Sequence, residues 1–150
     1  MNLLIVGINH TSAPVEMREQ VAFTPEQLVD ALKDLAHHAH LSEVAILSTC
    51  NRTEVIATSP SLDTQAIVNW LADYHGLNVT DLSPSIYEKL NKDGALHAVR
   101  VACGLDSMVI GEPQILGQVK EAYEHARRIG TLGTELQHLS QTTFRIAKRV

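Results

Sequence analysis

A chain of 150 residues with 45% apolar side chains and a formal net charge of −5 has the size for one domain with a real core. Its acidic balance argues against a blanket nucleic-acid coat, and no apolar run approaches the ~20 residues that span a bilayer. Two cysteines, Cys50 and Cys103, with no Cys-x-x-Cys pair, argue against a disulfide framework and against a structural zinc site. His37, His38 and His40 crowd near a helix end and read as surface histidines, so no metal is expected. The N-terminus lacks a basic leader and meets Asn9-His10 too soon for a signal peptide; the expected compartment is the cytoplasm.

In chain order, Leu3 to Ile8 is a compact apolar run and reads as a first strand. His10 to Val15 follows as a loop, because Pro14 biases Ala13 away from helix, and Val15 to Val21 forms a short helical turn. Thr24 as cap, Pro25 at the first position and Gln27 three residues after the cap announce a helix, with Leu28, Ala31, Leu32 and Leu35 as its buried stripe. Val44 to Ser48 and about Glu54 to Thr58 read as two further strands, joined by the polar heptad Ser48 to Glu54. Asp63 caps a second helix carrying Ile67, Trp70, Leu71 and Tyr74 on one face and stopped near Gly76. A short strand around Ile86-Tyr87 completes a small antiparallel sheet of ferredoxin-like, split β-α-β type. The fold class is therefore α+β: a sheet subdomain over about residues 1–90, then a helical part over about residues 91–150.

Three helices are expected in that helical part. The first starts at Asp93, runs with Ala95, Leu96, Val99, Ala102 and Cys103 inward, and ends at Gly104, which makes Cys103 a core residue. The second opens at Pro113 with the stripe Ile115, Val119, Ala122, Ala126 and Ile129, and Gly130 follows its end. The third starts on a capping box of Thr134 and Gln137 and reaches Val150 without a stop signal, as expected of a piece of a longer protein. From Gln114 onward the net charge is +3, which either offers phosphates a basic face or solvates helices. No Gly-x-Gly-x-x-Gly turn, P-loop, repeat or low-complexity segment occurs.

Two stretches carry chemistry. In Ser48-Thr49-Cys50-Asn51-Arg52-Thr53-Glu54 one thiol stands two residues before a guanidinium. An ordinary thiol titrates near ~8.5, so a nucleophilic Cys50 needs help from a cation. Three roles stay open for Arg52: lowering the thiol, gripping a substrate carboxylate in bidentate fashion, or pairing with Glu54 at the surface. Gly104 to Gln118 interrupts an apolar loop with three glycines and clusters Glu112, Gln114 and Gln118 at a helix opening. Gln114 and Gln118, four apart, share a face and suit hydrogen bonding to a polar ligand. His97, one position off its helix's apolar stripe, is either a proton carrier or a boundary histidine.

Three segments, Gly7-Ile8-Asn9-His10-Thr11-Ser12-Ala13-Pro14-Val15 with Arg18-Glu19, Ser48 to Glu54, and Gly104 to Lys120, resemble the catalytic domain of the glutamyl-tRNA reductase family, in register along essentially the whole chain. The resemblance implies that Cys50 attacks the ester joining glutamate to tRNA and that the thioester is reduced with NADPH to glutamate-1-semialdehyde, the entry to tetrapyrrole and heme synthesis. By position, Thr49, Asn51 and Arg52 would line the glutamyl pocket, with Arg52 facing the substrate's side-chain carboxylate. Ser107, Glu112, Pro113, Gln114 and Gln118 would also contact substrate, and His97 matches a histidine important for activity. The family's NADPH-binding domain and dimerisation helix would follow Val150. Partners implied are glutamyl-tRNA, a second copy of the full-length protein, glutamate-1-semialdehyde aminotransferase, and turnover or regulatory proteins; no membrane is implied. Two rival readings remain: a cysteine acyl-transferase or hydrolase with no reductive step, and a non-catalytic RNA-binding module, which the scarcity of aromatic residues disfavours.

Overall fold

The computed structural model describes residues 1–106 and 114–149. In chain order it contains β1 (Asn2–Asn9), α1 (Val15–Val21), α2 (Pro25–His38), β2 (Glu43–Ser48), β3 (Arg52–Ser59), α3 (Thr64–Tyr74), the single turn α4 (Val79–Leu82), a 3-10 turn (Ser83–Ser85), β4 (Tyr87–Leu90), α5 (Asn91–Ala102), α6 (Gln114–Ile129) and α7 (Thr134–Ala147). The strands form one antiparallel sheet in the order β2-β3-β1-β4, so the class is α+β as the sequence indicates.

The sheet is covered on both sides, and strand parity divides its residues. Leu3, Ile5 and Gly7 share one face with their partners Thr58, Ile56 and Glu54. That face meets α5, α6 and α7. Leu4, Val6 and Ile8 share the other face, which meets α2 and α3. Alternation of apolar and polar residues is lost because both faces are buried, as in the continuous Leu4-Ile5-Val6 run. Trp70 of α3 donates its indole N–H to Asp34 of α2 at 2.8 Å, locking the two helices of that layer.

The starts of α2 and α3 follow from their caps. Gln27 N–H donates to Thr24 Oγ1 at 3.3 Å while Thr24 N–H donates to Gln27 Oε1 at 2.8 Å, and Ala66 N–H donates to Asp63 Oδ1 at 3.2 Å. The expected capping box on α7 does not form. Gly133 holds the cap position without a side-chain bond, and Glu43 of β2 does the work from the sheet. Its Oε1 accepts from Leu136 N–H at 3.1 Å and its Oε2 from Thr58 Oγ1 at 2.6 Å. An anion delivered to a helix N-terminus is favourable wherever it originates, and a Cβ on Gly133 would lie 2.6 Å from Glu43 Oε1. The neighbouring Thr131 lies against the outer edge of β2: Val44 N–H donates to its carbonyl at 2.9 Å and its hydroxyl donates to Val44 O at 2.8 Å.

Other expectations shift. The last strand is Tyr87–Leu90, with Ile86 closing the preceding 3-10 turn instead of entering the sheet. Helix α5 begins at Asn91 and buries Gly94, His97, Ala98, Val101 and Ala102, while Leu96 is 61% exposed. The helix is turned from the expected stripe because Gly94 permits close approach to the sheet, where a Cβ would stand 2.9 Å from Lys89 O, and because His97 finds a buried partner. Cys103 is not core: it sits half-buried at the helix C-cap. Both cysteines are free thiols.

Candidate active site

The polar heptad between β2 and β3 contracts to a three-residue turn, since Ser48 ends β2 and Arg52 opens β3. Thr49 N–H donates to Arg52 O at 2.8 Å and Asn51 N–H to Thr49 Oγ1 at 3.2 Å. These bonds use the polar groups of the neighbours to close the turn and leave the Cys50 thiol exposed at its tip. Behind it, Ser48 Oγ accepts from Phe23 N–H at 2.9 Å, tying the strand end to the start of α2. A pocket opens beside the turn, walled by Thr49, Cys50, Asn51, Arg52, Gln114 and Gln118. Every described residue assigned to the site from sequence except His97 meets there. Ser107, Glu112 and Pro113 lie outside the described residues.

Arg52 and Glu54 do pair, at 3.2 Å, but the pair is buried, with side chains only 1% and 2% exposed. Parity explains this: both point to the face covered by the helical half, and Gly7 stands opposite Glu54 in β1. A Cβ at Gly7 would fall 2.3 Å from Thr53 O and 3.0 Å from Glu54 Cγ, so only glycine leaves room for this hub. Glu54 Oε2 accepts from Arg52, from the Tyr87 hydroxyl and from the His97 Nε2–H. Arg52 also donates to Asp106 O at 2.6 Å and to Asp106 Oδ2 at 3.1 Å. These three bonds occupy three of the five guanidinium N–H groups.

The electrostatics follow from burial opposed by pairing. Burial works against the Arg52 charge, yet Glu54 and Asp106 outweigh it and its pKa is raised. Burial likewise opposes the Glu54 carboxylate, but hydrogen bonding and charge from His97 and the charge of Arg52 hold it below the usual carboxylate range. Burial, with Glu54 alongside, drives the Tyr87 hydroxyl far above its ordinary value, so it remains a donor.

The first motif is organised by Asn9. Its Oδ1 accepts from Thr11 N–H at 3.0 Å, Thr11 Oγ1 at 2.7 Å and Ser12 N–H at 3.0 Å, while Nδ2 reaches Asp106 Oδ2 at 3.5 Å. Asn9, His97 and Asp106 border a separate open cleft of about 560 Å³, whose lining does not include Cys50. Among the described residues, His97 is linked to the thiol's surroundings through Glu54 and Arg52. Sequence reasoning missed Glu54 as a hub, and Asn9, Tyr87 and Asp106 altogether. The available signal was two opposite charges at alternate positions of an otherwise uncharged strand. His37, His38 and His40 are exposed, and among the described residues no three His, Cys, Asp or Glu side chains gather as a metal site.

The glutamyl-tRNAGlu reductase N-terminal domain family matches residues 6–150. A glutamyl-tRNA reductase of Pseudomonas putida is 53% identical over 150 residues, all of this chain and 35% of that protein. One of Pseudoalteromonas translucida is 49% identical over the same span, 36% of its length. Among solved structures, glutamyl-tRNA reductase from Methanopyrus kandleri superposes with a TM-score of 0.82 at 33% identity, covering 98% of this chain and 33% of that one. The chain thus spans about a third of the length of these relatives.

Proposed function

The chain belongs to the glutamyl-tRNA reductase N-terminal domain family, and on that premise we propose that it performs the acyl-transfer half of glutamyl-tRNA reduction, with Cys50 as acceptor. The observation that carries the reading is the exposed thiol at the tip of a tied turn, beside a pocket walled by Thr49, Asn51, Arg52, Gln114 and Gln118. The thiolate adds to the ester carbonyl, a C–S bond forms, the C–O bond to the ribose breaks, and the tRNA hydroxyl leaves with a proton. A thioester is the more electrophilic product, which eases later reduction.

Arg52 serves the substrate's side-chain carboxylate through the N–H groups its protein partners leave over, held in place by Glu54 and Asp106. Gln114 and Gln118 supply neutral amides from α6, and Ser107, Glu112 and Pro113 join the contacts. The bond from His97 to Glu54 supports a positioning role rather than proton transfer at the thiol. NADPH would supply hydride to the acylated enzyme. These 150 residues have no glycine-rich turn to cradle its pyrophosphate, so they do not fit it, and the reductive half is assigned to the part of the longer relatives this chain does not span.

The reading extends to the enzyme's setting. Among the described residues no helix is long and apolar enough to cross a membrane. The reaction proposed is a cytoplasmic one, the entry to tetrapyrrole synthesis. The full-length protein would act as a homodimer and hand its semialdehyde to an aminotransferase, with turnover or regulatory proteins as further partners. The strand order and helical crossovers support a ferredoxin-like, split β-α-β unit over about residues 1–90, with a helical part after it.

Intact-protein mass after mixing with glutamyl-tRNA tests the core of this reading. A glutamyl adduct that hydroxylamine removes, absent in Cys50→Ser, is the expected result, with no semialdehyde from this chain alone. No adduct under conditions where the full-length enzyme turns over would count against Cys50 as acceptor within this chain.

A further inference from the structure

The pocket beside Cys50 has a neighbour across Gln118. The same side chain borders a second groove, between the start of α2, the end of β2 and α6, of about 190 Å³. Its floor is apolar, with Phe23, Leu28 and Ile46, and its rim carries Gln118, Glu121 and His125. The floor is backed by packing and a hydrogen bond: the Phe23 ring stacks nearly parallel to Trp70 at 6.1 Å, and its amide donates to Ser48, two residues before Cys50.

We propose that this groove receives the terminal nucleoside of the RNA whose acyl group Cys50 accepts. The inference rests on the acyl-acceptor reading above and adds where the alcohol half of the ester goes. That half is covalently joined to the carbonyl under attack, so its ribose and base must lie within one nucleoside's reach of the thiol. Gln118 lines both the α2–α6 groove and the thiol pocket, so the two adjoin. The chemistry of the walls suits a base: an apolar floor that includes one aromatic residue to cover its π-face, and an amide, a carboxylate and an imidazole to meet its edge. Among the described residues lining it none is lysine or arginine, and Glu121 is acidic, which suits a neutral nucleoside and disfavours a phosphodiester. The volume admits one base and no run of nucleotides.

The test compares Cys50 acylation by 3′-O-glutamyl-adenosine with acylation by a glutamyl ester of glycerol, in the wild-type chain and in Glu121→Trp and His125→Trp, which fill the groove from the partly exposed face of α6. Wild type should prefer the adenosine ester by about 10-fold or more, within what covering one base supplies. Both variants should lose that preference while reacting with the glycerol ester at the wild-type rate. Equal rates with the two esters in wild type, or variants that keep the preference, would overturn the proposal. Binding of adenosine alone is followed separately, by NMR of the His125 ring. Adenosine shifting that ring without acylation by either ester would keep the groove and sink the acyl-acceptor reading. Nicotinamide mononucleotide shifting it where adenosine does not would assign the groove to a different ligand and end the proposal.

Discussion

Replacing Glu54 by glutamine keeps the shape of the hub and removes its charge. In the native chain one carboxylate oxygen serves Arg52 at 3.2 Å, Tyr87 and His97, and both Arg52 and Glu54 are almost wholly out of water. Without the carboxylate, Asp106, whose side chain is 30% exposed, is the guanidinium's remaining charged partner among the described residues. Breaking a buried pair by removing one partner costs about 3–5 kcal/mol, chiefly because the other charge is stranded. Glutamine preserves one acceptor oxygen, so about 3 kcal/mol is expected. A chain of this length has roughly 5–15 kcal/mol in total, so Glu54→Gln should still fold. Its Tm should fall by about 6–12 °C at ~2–4 °C per kcal/mol. Urea unfolding followed by circular dichroism measures the loss. The double variant Arg52→Met/Glu54→Gln removes both charges of the buried pair, leaving only the partly exposed Asp106 to lose a partner, and should be less destabilised than the sum of the single variants by about 1 kcal/mol or more. A Glu54→Gln loss under about 1 kcal/mol, or strict additivity, would refute the assignment of Glu54 as the anchor of Arg52.

Acid should reveal the same carboxylate. Its folded pKa lies below the unfolded value of about 4.3, so its stabilisation is complete at neutral pH and is lost as pH falls from that value through the lower folded one. Unfolding free energies measured across this window should decline less steeply in Glu54→Gln than in wild type, and parallel curves would contradict the linkage. Gly7→Ala puts a methyl against the Thr53 carbonyl at 2.3 Å and should cost at least ~2 kcal/mol; faster amide exchange across the β1–β3 ladder is the accompanying readout. Glu43→Ala removes the acceptor of Thr58 and Leu136 and should cost about 2 kcal/mol. Exchange should be accelerated first at the Leu136 amide; unchanged protection there would show that α7 caps itself.

Much of the sheet half was legible because its signals are local. Thr24, Pro25 and Gln27 specify a helix start by their own side chains, and the apolar runs of β1 and β2 have the length and β-branched content of buried strands. The site turn was legible as a turn, though not its length: Arg52, Thr53 and Glu54 look like loop residues until the strand's inner face is known to hold an ion-pair hub. The same blind spot misplaced α5. A helix whose inward side holds Gly94 and His97 while Leu96 faces water defeats any stripe drawn from hydropathy, since the reason lies 43 residues earlier in Glu54. The cap of α7 was unreadable for a similar reason, as Glu43 reaches Leu136 across 93 positions. Local grammar predicts elements well; it does not predict which distant polar group a buried face is built to meet.

The strap of Thr131 along β2 has a consequence for association. An edge strand with open N–H and C=O groups is a template on which other chains polymerise. Here the Val44 amide and carbonyl are both engaged by Thr131. The opposite margin, β4, is only four residues long and carries Glu88 and Lys89, a poor rail for an incoming strand. The sheet is thereby discouraged from growing in either direction, and a crowded solution of this chain is protected from strand-by-strand aggregation by one threonine on one side and by brevity and charge on the other.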